Sequence, residues 1–509
     1  MKKVLALVAL LIISAVLVLS ISVLFKDNPA HNSSNDISSQ ISFETSSQFN
    51  EYPSFDSSVD FSPINSETTT SSESSDETSI NVSSDDDISS TESIESSNYN
   101  SVEDASSSHS SVNTSSEAAS SEVVSLPESS KESSEEVSSE IPTVKPITSE
   151  MRAIWISYID MANIIKNKSE SEFKTNFEKV CKNSAEYGLN TVVVHVRPFS
   201  DAYYNSKIFP WSSTITGTQG QNPGFDPLEI MVGLAHKYGL KIEAWINPYR
   251  VATSGVKISS QNPAYKWLDT DKVKEVDGKY FYNPASEEVM QLIVDGVVEI
   301  VENYDVDGIH FDDYFYPTTD KNFDKNYYQE YKNAGGKLSL EDYRRNNVTT
   351  LLKKVHKAVK QTNPNITFGI SPNGNNNTNY NSLFLDIEDV VNSGCVDYIC
   401  PQIYFGFNHG SLPYKSTVDN WSAFVKNSPI KIYIGLAAYK VGANDQWAGT
   451  GKSEWLQSND ILKRQVQYLR DTGNCDGFML YCYSSLFAPE SSVASHAYKE
   501  KDNLGSILY

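Results

Sequence analysis

The chain has 509 residues, 65 of them acidic and 41 basic, and a formal net charge of −24 at pH 7. This length allows two or three domains, and a charge of this sign does not indicate the basic surface that binds nucleic acid. Because the composition changes sharply along the chain, the folded part is smaller than the whole. The chain divides into three segments.

Residues 1–26 are predicted to form a signal anchor, a single transmembrane helix. Lys2 and Lys3 precede an apolar run from Val4 to Phe25, and a helix of that length spans roughly 33 Å, about the thickness of the hydrocarbon layer of a bilayer. A cleaved secretory signal is the alternative, but its apolar core is usually shorter and ends at a small-residue cleavage site. The lysines favour a cytoplasmic N-terminus and an extracytoplasmic remainder, held in the cell membrane or, after cleavage, secreted.

Residues 27–147 are predicted to be a disordered linker. Ser, Thr, Asn, Asp and Glu dominate, and apolar residues occur singly with neither a helical nor a strand period. Such a segment cannot bury enough apolar surface to offset the entropy lost when its backbone is ordered. It has 24 acidic residues against Lys131 and Lys145, so most of the net charge lies here, where repulsion between like charges extends the chain.

From residue 148 to 509 the sequence predicts a (β/α)8 barrel, the TIM-barrel fold. Short apolar or aromatic runs alternate with amphipathic stretches at helical spacing. Such strands pair in parallel through right-handed crossovers, and eight units close into a barrel. An open doubly wound sheet is the alternative, but no glycine-rich phosphate loop follows the first strand. The predicted strands are Arg152–Tyr158, Asn190–Arg197, Leu240–Asn247, Gly308–Tyr314, Ile366–Ser371, Tyr398–Tyr404, Lys431–Ala437 and Gly477–Tyr483.

All five cysteines lie in this folded region, and an odd number cannot all pair within one chain. Neither a Cys-x-x-Cys motif nor a Cys/His set with zinc spacing occurs, and no P-loop, HExxH or G-x-S-x-G motif is found. We therefore expect buried, mainly unpaired thiols, with one disulfide left open, and neither a metal nor a cofactor.

The barrel separates two groups of polar residues. In this fold the C-terminal strand ends face the active site, whereas the N-terminal ends serve packing and turns. Asp307, Asp397 and Asp476 each come just before an apolar strand, so they are predicted to be structural. The opposite rim contains the candidates for chemistry.

Carboxylates, amides, arginines and aromatic residues cluster at the C-terminal strand ends. Cleavage of a glycosidic bond uses paired carboxylates, one as an acid and one as a base or nucleophile, while amides and aromatic rings bind sugars. Because side chains alternate along a strand, Glu243, Trp245 and Asn247 are expected on one face. The candidate catalytic residues are Asp312, Asp313 and Glu243, and the candidate substrate-binding residues are Arg197, Asp201, Trp245, Asn247, Arg250, His310, Tyr314, Asn373, Gln402, Tyr404 and Tyr481.

Ordered motifs along the whole folded region resemble the glycosyl-hydrolase-like family 10 of bacterial envelope proteins. The resemblance implies a TIM-barrel glycosidase of the cell envelope and, for some relatives, activity on peptidoglycan glycan strands that lack stem peptides. This chain differs from the lipoprotein members in its predicted membrane helix and Ser-rich linker. The motifs are Arg152–Trp155, Val196–Tyr204, Phe209–Ser212, Ala244–Arg250, Asp307–Pro317, Phe368–Pro372 and Pro401–Tyr404.

Comparison with glycosidases also implies a role for Asp312. The run His310, Phe311, Asp312 is similar to a pattern of retaining barrel glycosidases, in which a basic residue and one spacer precede the nucleophilic Asp. Chitinase-like families have an acidic Glu two residues after such an Asp, where this chain has Tyr314. The resemblance therefore implies that Asp312 is the nucleophile or a transition-state stabiliser.

The other polar residues allow more than one role. The general acid is left open among Asp313, Glu243 and Asp201. Structural interpretations also exist, because Asp313 could cap the next helix and Glu243 could pair with a basic neighbour inside the barrel. His195 and His310 are expected to orient other side chains.

Two functions agree with this rim. The favoured one is a hydrolase of a cell-wall glycan of β-linked amino sugars, and the alternative is a wall-binding or scaffold protein that binds glycan without turnover. Paired carboxylates favour the enzyme, because a glycan-binding protein needs only aromatic and amide groups. A glycan deacetylase is a weaker third hypothesis, since it normally uses a His/Asp metal set that the sequence lacks.

Overall fold

A computed structural model describes residues 149–509 of the chain. The predicted membrane helix at 1–26 and the predicted linker at 27–147 lie outside these residues and stay predictions. Within the described part, no helix is both long and apolar enough to cross a membrane.

Eight parallel strands close into a barrel, in the order β1-β11-β10-β9-β8-β7-β3-β2 around its circumference. The predicted (β/α)8 barrel is therefore confirmed, and each predicted strand overlaps an observed one. Most observed strands are shorter, because several residues of the rim motifs lie beyond the ladder hydrogen bonds. The barrel strands are β1 (Met151–Ile156), β2 (Thr191–Arg197), β3 (Lys241–Ile246), β7 (Gly308–Phe311), β8 (Thr367–Ile370), β9 (Tyr398–Ile399), β10 (Lys431–Ala437) and β11 (Gly477–Tyr481).

Amphipathic helices cover the outside of the barrel. The helix Glu287–Asn303 begins where the Ser286 hydroxyl accepts the Val289 N–H, and its acidic first turn complements the helix dipole. Residues at helical spacing, such as Ile293 and Val297, are buried in the outer core. The helices are Tyr158–Ile165, Glu170–Glu186, Ser213–Thr216, Pro227–Lys237, Glu287–Asn303, Lys325–Asn333, Leu340–Thr362, Asn376–Thr378, Ile387–Ser393, Tyr414–Val425, Glu454–Gln457, Ile461–Thr472, Tyr483–Phe487 and Ala494–Gly505.

A small antiparallel sheet follows β3 and was not predicted. It consists of β4 (Arg250–Ala252), β5 (Val273–Val276) and β6 (Lys279–Tyr282), in the order β4-β6-β5. The two residues that join β5 to β6, Asp277 and Gly278, both have positive φ angles. An Asp-Gly pair between two short strands is typical of a tight hairpin turn, so the sequence contained a signal for this hairpin.

The aspartates at the N-terminal strand ends are structural, as predicted. Each one precedes a barrel strand and accepts the backbone N–H of the second residue of the preceding barrel strand, which satisfies a donor at the end of the ladder. Asn190 makes the corresponding contact with the N–H of Arg152, at 3.0 Å. The distances are 2.9 Å from Asp307 to Ile242, 2.7 Å from Asp397 to Phe368 and 3.1 Å from Asp476 to Ile432.

The five cysteines are all free thiols in the structure, which leaves the disulfide considered from the sequence without support. Four are buried and Cys475 is half-buried. Cys181 and Cys395 belong to the outer core, and Cys400 belongs to the barrel interior. They act as small apolar side chains, as expected.

Replacement of Asp307 by Ala should lower the free energy of unfolding by about 1–3 kcal/mol, because the N–H of Ile242 loses its side-chain acceptor. Chemical unfolding followed by tryptophan fluorescence measures this change. Asp305→Ala is the matched control, since its side chain is 93% exposed, and it should change stability by less than about 0.5 kcal/mol. Equal effects of the two substitutions would refute the structural role of Asp307.

Candidate active site

The inward side chains of β3 and β7 form three polar layers along the barrel axis. Glu243 lies level with Gly308 at the start of β7, and Trp245 lies level with His310 one layer higher. Asn247 follows the end of β3 and belongs to the uppermost layer, next to the C-terminal rim. The three β3 residues share a face, as predicted, but they differ in depth.

Asp312 is the acidic residue of the uppermost layer, and it is only 2% exposed. Its Oδ2 accepts the indole N–H of Trp245 at 3.0 Å and the amide N–H of Asn247 at 3.1 Å. Its Oδ1 accepts the backbone N–H of Tyr314 at 3.4 Å. These donors fix the orientation of the carboxyl group and favour its charged form.

His195 lies beside this carboxylate. Its Nδ1 accepts the backbone N–H of Tyr158 at 3.1 Å, so a neutral ring has its proton on Nε2, which is 3.8 Å from Oδ2 of Asp312. The ring stacks on Trp245 with 3.4 Å between centroids. Burial lowers the pKa of His195 well below its usual value, so the ring is neutral. It therefore faces Asp312 with the Nε2–H group and without a positive charge.

Asp313 forms the second carboxyl group of the pair and is half-buried at the rim. Its Oδ2 lies 3.5 Å from the amide nitrogen of Asn373, and the nearby Gln402 side chain lowers its pKa. Burial and the neighbouring Asp313 charge raise the pKa of Asp312 to about 7, and burial also raises the pKa of Asp313. The pair therefore retains a proton into the neutral pH range.

Asn373 and Gln402 align the ends of β8 and β9, where they form a parallel bridge. The Gln402 amide donates to the carbonyl of Ser371 at 2.9 Å. Both predicted binding residues therefore lie at the rim beside Asp313. Among residues 149–509, no three His, Cys, Asp or Glu side chains form a group that could hold a metal ion.

Arg250 lies at the rim among three aromatic rings. Its guanidinium carbon is 4.6 Å from the ring centroid of Phe199, 4.7 Å from that of Tyr314 and 5.6 Å from that of Tyr158. Cation–π attraction to these rings holds the side chain in place. Arg250 and Tyr314 thus lie where the sequence placed them.

A second aromatic group lies at the ends of β9, β10 and β11. The ring centroids of Tyr404 and Tyr481 are 5.9 Å apart, and Tyr439 lies 5.6 Å from Tyr404 and 5.8 Å from Tyr481. Trp155 contacts Tyr481 from inside the barrel at 6.1 Å. The predicted aromatic binding residues are therefore brought together.

Sequence reasoning missed Tyr158, Phe199 and Tyr439. Each lies two positions beyond the last residue of a barrel strand, namely β1, β2 and β10. The fixed distance of an aromatic residue from a strand end was a signal in the sequence. The predicted strands obscured it, because the prediction for β1 extended too far.

Glu243 was expected at the rim, and the structure corrects this placement. It accepts the Tyr398 hydroxyl and lies 3.3 Å from the hydroxyl of Thr367, two layers below Asp312. Burial raises its pKa to about 7. Alternation along a strand predicts the face of a side chain but not its depth, and this depth separates Glu243 from the carboxyl pair.

His310 was predicted to contact substrate, but it is fully buried and both ring nitrogens have protein partners. Since Tyr398 donates its only proton to Glu243, it accepts from Nδ1 of His310, at 2.7 Å. The Nε2 atom accepts the indole N–H of Trp155 at 3.2 Å. Burial lowers the pKa of His310 to about 3. It therefore orients its neighbours beneath the site.

Arg197 also lies away from the predicted binding rim. Its guanidinium carbon is 4.3 Å from the ring centroid of Phe209, and its Nη1 lies so near Gly296 that a Cβ there would be 2.7 Å away. The side chain is thus buried between β2 and the helix Glu287–Asn303. The physical reason is a register shift of β2 after His195, which reverses the alternation.

Asp201 is enclosed in the loop after β2 and is 3% exposed. Its Oδ2 accepts the amide N–H of Gln219 at 2.8 Å, and its Oδ1 is buried. Burial raises its pKa. With both oxygens covered, Asp201 is not placed to protonate a leaving group, which leaves Asp313 as the general-acid candidate beside Asp312.

The sequence profile described as "Glycosyl hydrolase-like 10" matches residues 150–449. The chain belongs to the glycosyl hydrolase-like 10 family. The resemblance seen in the sequence motifs is therefore confirmed. The match includes every rim residue described above except Tyr481, because β11, which closes the barrel, lies beyond it.

Two relatives are also named as glycosyl hydrolases. Glycosyl hydrolase YngK of Bacillus subtilis strain 168 is 35% identical in an alignment of 347 residues that covers 63% of this chain and 67% of that protein. Glycosyl hydrolase DigH of Escherichia coli K12 is 34% identical in an alignment of 333 residues that covers 60% of this chain and 75% of that protein. Among solved structures, the PgaB (BpsB) glycoside hydrolase domain of Bordetella bronchiseptica matches 70% of this chain and 99% of its own length, with 12% identity and a TM-score of 0.48.

The raised pKa of Asp312 predicts a specific pH dependence of stability. An unfolded Asp loses its proton near pH 4, whereas the folded Asp312 and Asp313 pair, with the pKa of Asp312 raised to about 7, retains one shared proton into the neutral range. Between these values the folded state binds more protons, so the contribution of Asp312 to stability falls as the pH rises. The melting temperature of Asp312→Asn should therefore rise relative to that of the parent as the pH increases from 4 to 7. Asp305→Asn is the control, and a difference that is constant with pH would contradict the raised pKa.

Proposed function

We propose that this chain is a glycoside hydrolase that cleaves a cell-envelope glycan, in particular the glycan strands of peptidoglycan. The observation that carries the proposal is the Asp312 and Asp313 pair, which retains a proton into the neutral pH range at the C-terminal rim of the barrel. Glycosidic cleavage requires one charged and one protonated carboxyl group in the same place. Membership of a glycosyl hydrolase-like family supports the same conclusion.

The contacts assign a role to each carboxyl group. Asp312 accepts N–H donors from Trp245, Asn247 and Tyr314, which favour its charged form, so it stabilises or attacks the positively charged sugar carbon of the transition state. Asp313 is more exposed, and we assign it the proton that the leaving oxygen receives.

The surroundings of the pair suit a sugar chain. The rings of Tyr314, Tyr404 and Tyr481 offer faces on which pyranose rings stack, and the amides of Asn373 and Gln402 can hydrogen-bond sugar hydroxyls. The resemblance to envelope glycosidases points to amino-sugar strands as the substrate. A wall-binding protein without turnover is the second candidate, because the same rings and amides would serve it, but the carboxyl pair would then have no purpose.

We also propose that the barrel works outside the cell on a membrane anchor, as the N-terminal sequence predicts. A flexible linker of the predicted length reaches roughly 60 Å, and its negative charge extends it further. This reach would allow a membrane-bound barrel to act within the cell wall.

Substitution of the two aspartates should separate their roles. Asp312→Asn should slow the cleavage of peptide-free glycan strands by about 10³-fold or more, because the amide cannot stabilise the positive charge. Asp313→Asn should slow the same reaction but should cleave an aryl glycoside at a rate near that of the parent, since a good leaving group needs no proton. Reducing-end release and aryl-alcohol release measure the two reactions.

The outcomes distinguish the alternatives. Asp312→Asn should fail on both substrates and remain folded, while Asp307→Ala should lose stability but keep its activity per folded molecule. If Asp313→Asn fails with the aryl glycoside and Asp312→Asn does not, the two roles are reversed. Strands that the parent binds but never shortens would favour the wall-binding protein.

Cell fractionation tests the anchor. The full chain should sediment with membranes, remain there in high salt and be released by detergent, because an apolar helix holds it. A protease added outside intact spheroplasts should remove the barrel. Recovery of the barrel in the medium with a new N-terminus near residue 26 would show a cleaved signal instead.

A further inference from the structure

Arg250 has a charged side chain that forms no direct ion pair within the described residues. Among residues 149–509, its side chain makes no hydrogen bond or ion pair, and it packs against the rings of Tyr158, Phe199 and Tyr314. Like the buried Arg197, Arg250 lacks an acidic partner, whereas several other arginines of the described structure have one. Examples are Arg344 with Asp324, Arg345 with Asp342, Arg464 with Asp460 and Arg470 with Glu150.

The aromatic contacts leave the hydrogen-bonding edge of Arg250 unused. A guanidinium group offers its flat faces to aromatic rings and its N–H donors in its own plane. The backbone N–H of Arg250 donates to Oδ1 of Asn247 at 3.1 Å, which fixes the start of β4 beside the layer of Asp312. The side chain is thus held in place while its donors are left free.

The position of Arg250 makes it part of the cleft. It is half-buried at the rim. Its charge acts electrostatically on Asp312, Asp313 and His195. Neither carboxylate, however, lies within 4.0 Å of a guanidinium nitrogen of Arg250, the distance limit for an ion pair. A fixed guanidinium with free in-plane donors binds a planar anion with two oxygens, such as a carboxylate, through paired hydrogen bonds. Neutral hydroxyls could accept the same donors but would not form the stronger hydrogen bonds that a charged acceptor forms.

We propose that Arg250 binds a free carboxylate on a sugar of the glycan, next to the bond that is cleaved. This inference rests on the proposed glycosidase function and specifies its substrate. In amino-sugar strands of the wall, such a carboxylate is the lactyl ether group of muramic acid, which is free only where the stem peptide is absent. Arg250 then selects peptide-free strands, because an amide-linked lactyl group has no charge.

The experiment compares two forms of one substrate with the full-length protein in detergent. Peptide-free strands are used with free lactyl carboxylates or with the same groups converted to methylamides. The parent should have a kcat/KM at least about tenfold higher on the free form, the value of one charge-assisted contact. Arg250→Gln should lose this preference because its kcat/KM falls much further on the free form than on the methylamide form, and Arg250→Lys should keep part of the preference. Arg464→Gln, an exposed arginine on an outer helix, is the matched control.

Other outcomes identify what fails. Equal losses on both forms by Arg250→Gln, together with a shifted pH profile, would mean that Arg250 only adjusts the carboxyl pair and would overturn the proposal. If the parent cleaves neither form, the glycosidase function fails, and binding of the two forms by the parent and Arg250→Gln still tests the carboxylate contact. Arg250-dependent cleavage of hexuronate oligosaccharides, but not of muramic strands, would support the carboxylate contact and assign it to a uronic acid.

Discussion

A buried carboxylate needs hydrogen-bond donors from the protein, and this requirement organises the catalytic end of the barrel. Removing a charge from water costs several kcal/mol unless paired groups replace the solvent. Asp312 at the end of β7 meets this need through Trp245 of β3 and Asn247, which directly follows β3. Trp245 in turn stacks on His195 of β2, whose orientation depends on a backbone N–H after β1. One side chain thus connects four neighbouring strands of the barrel.

The layers below Asp312 supply rigidity. A hydrogen-bonded series runs from Glu243 through Tyr398 and His310 to Trp155 and joins β3, β9, β7 and β1 across the axis. The interior of such a barrel is usually filled with branched aliphatic residues, whereas here it is polar and aromatic. Gly369 allows this arrangement, because a Cβ at that position would overlap the Tyr398 ring. Buried polar networks whose members are satisfied specify one arrangement of side chains, which keeps the Asp312 layer in a single geometry.

The two ends of the barrel use acidic residues for different purposes. At the N-terminal ends, Asp307, Asp397 and Asp476 accept backbone N–H groups of the preceding strands, so they join strands in pairs. At the C-terminal ends, Asp312 and Asp313 lie side by side, where burial raises the pKa of both and the Asp313 charge raises that of Asp312 further. Stability and chemistry are therefore separated along the barrel axis, as is general for this fold.

The sequence by itself determined the order of the eight strands, the structural aspartates and the position of Asp312 at a strand end, because these features depend on local periodicity and chain order. Only the tertiary structure decided depth and partners. Glu243 lies on the predicted face but below the site, since alternation contains no information about height along the axis. Arg197 points outward because a register shift in β2 reverses the alternation, and such a shift arises from pairing with β3. The free guanidinium of Arg250 likewise becomes visible only when rings from three separate loops surround it.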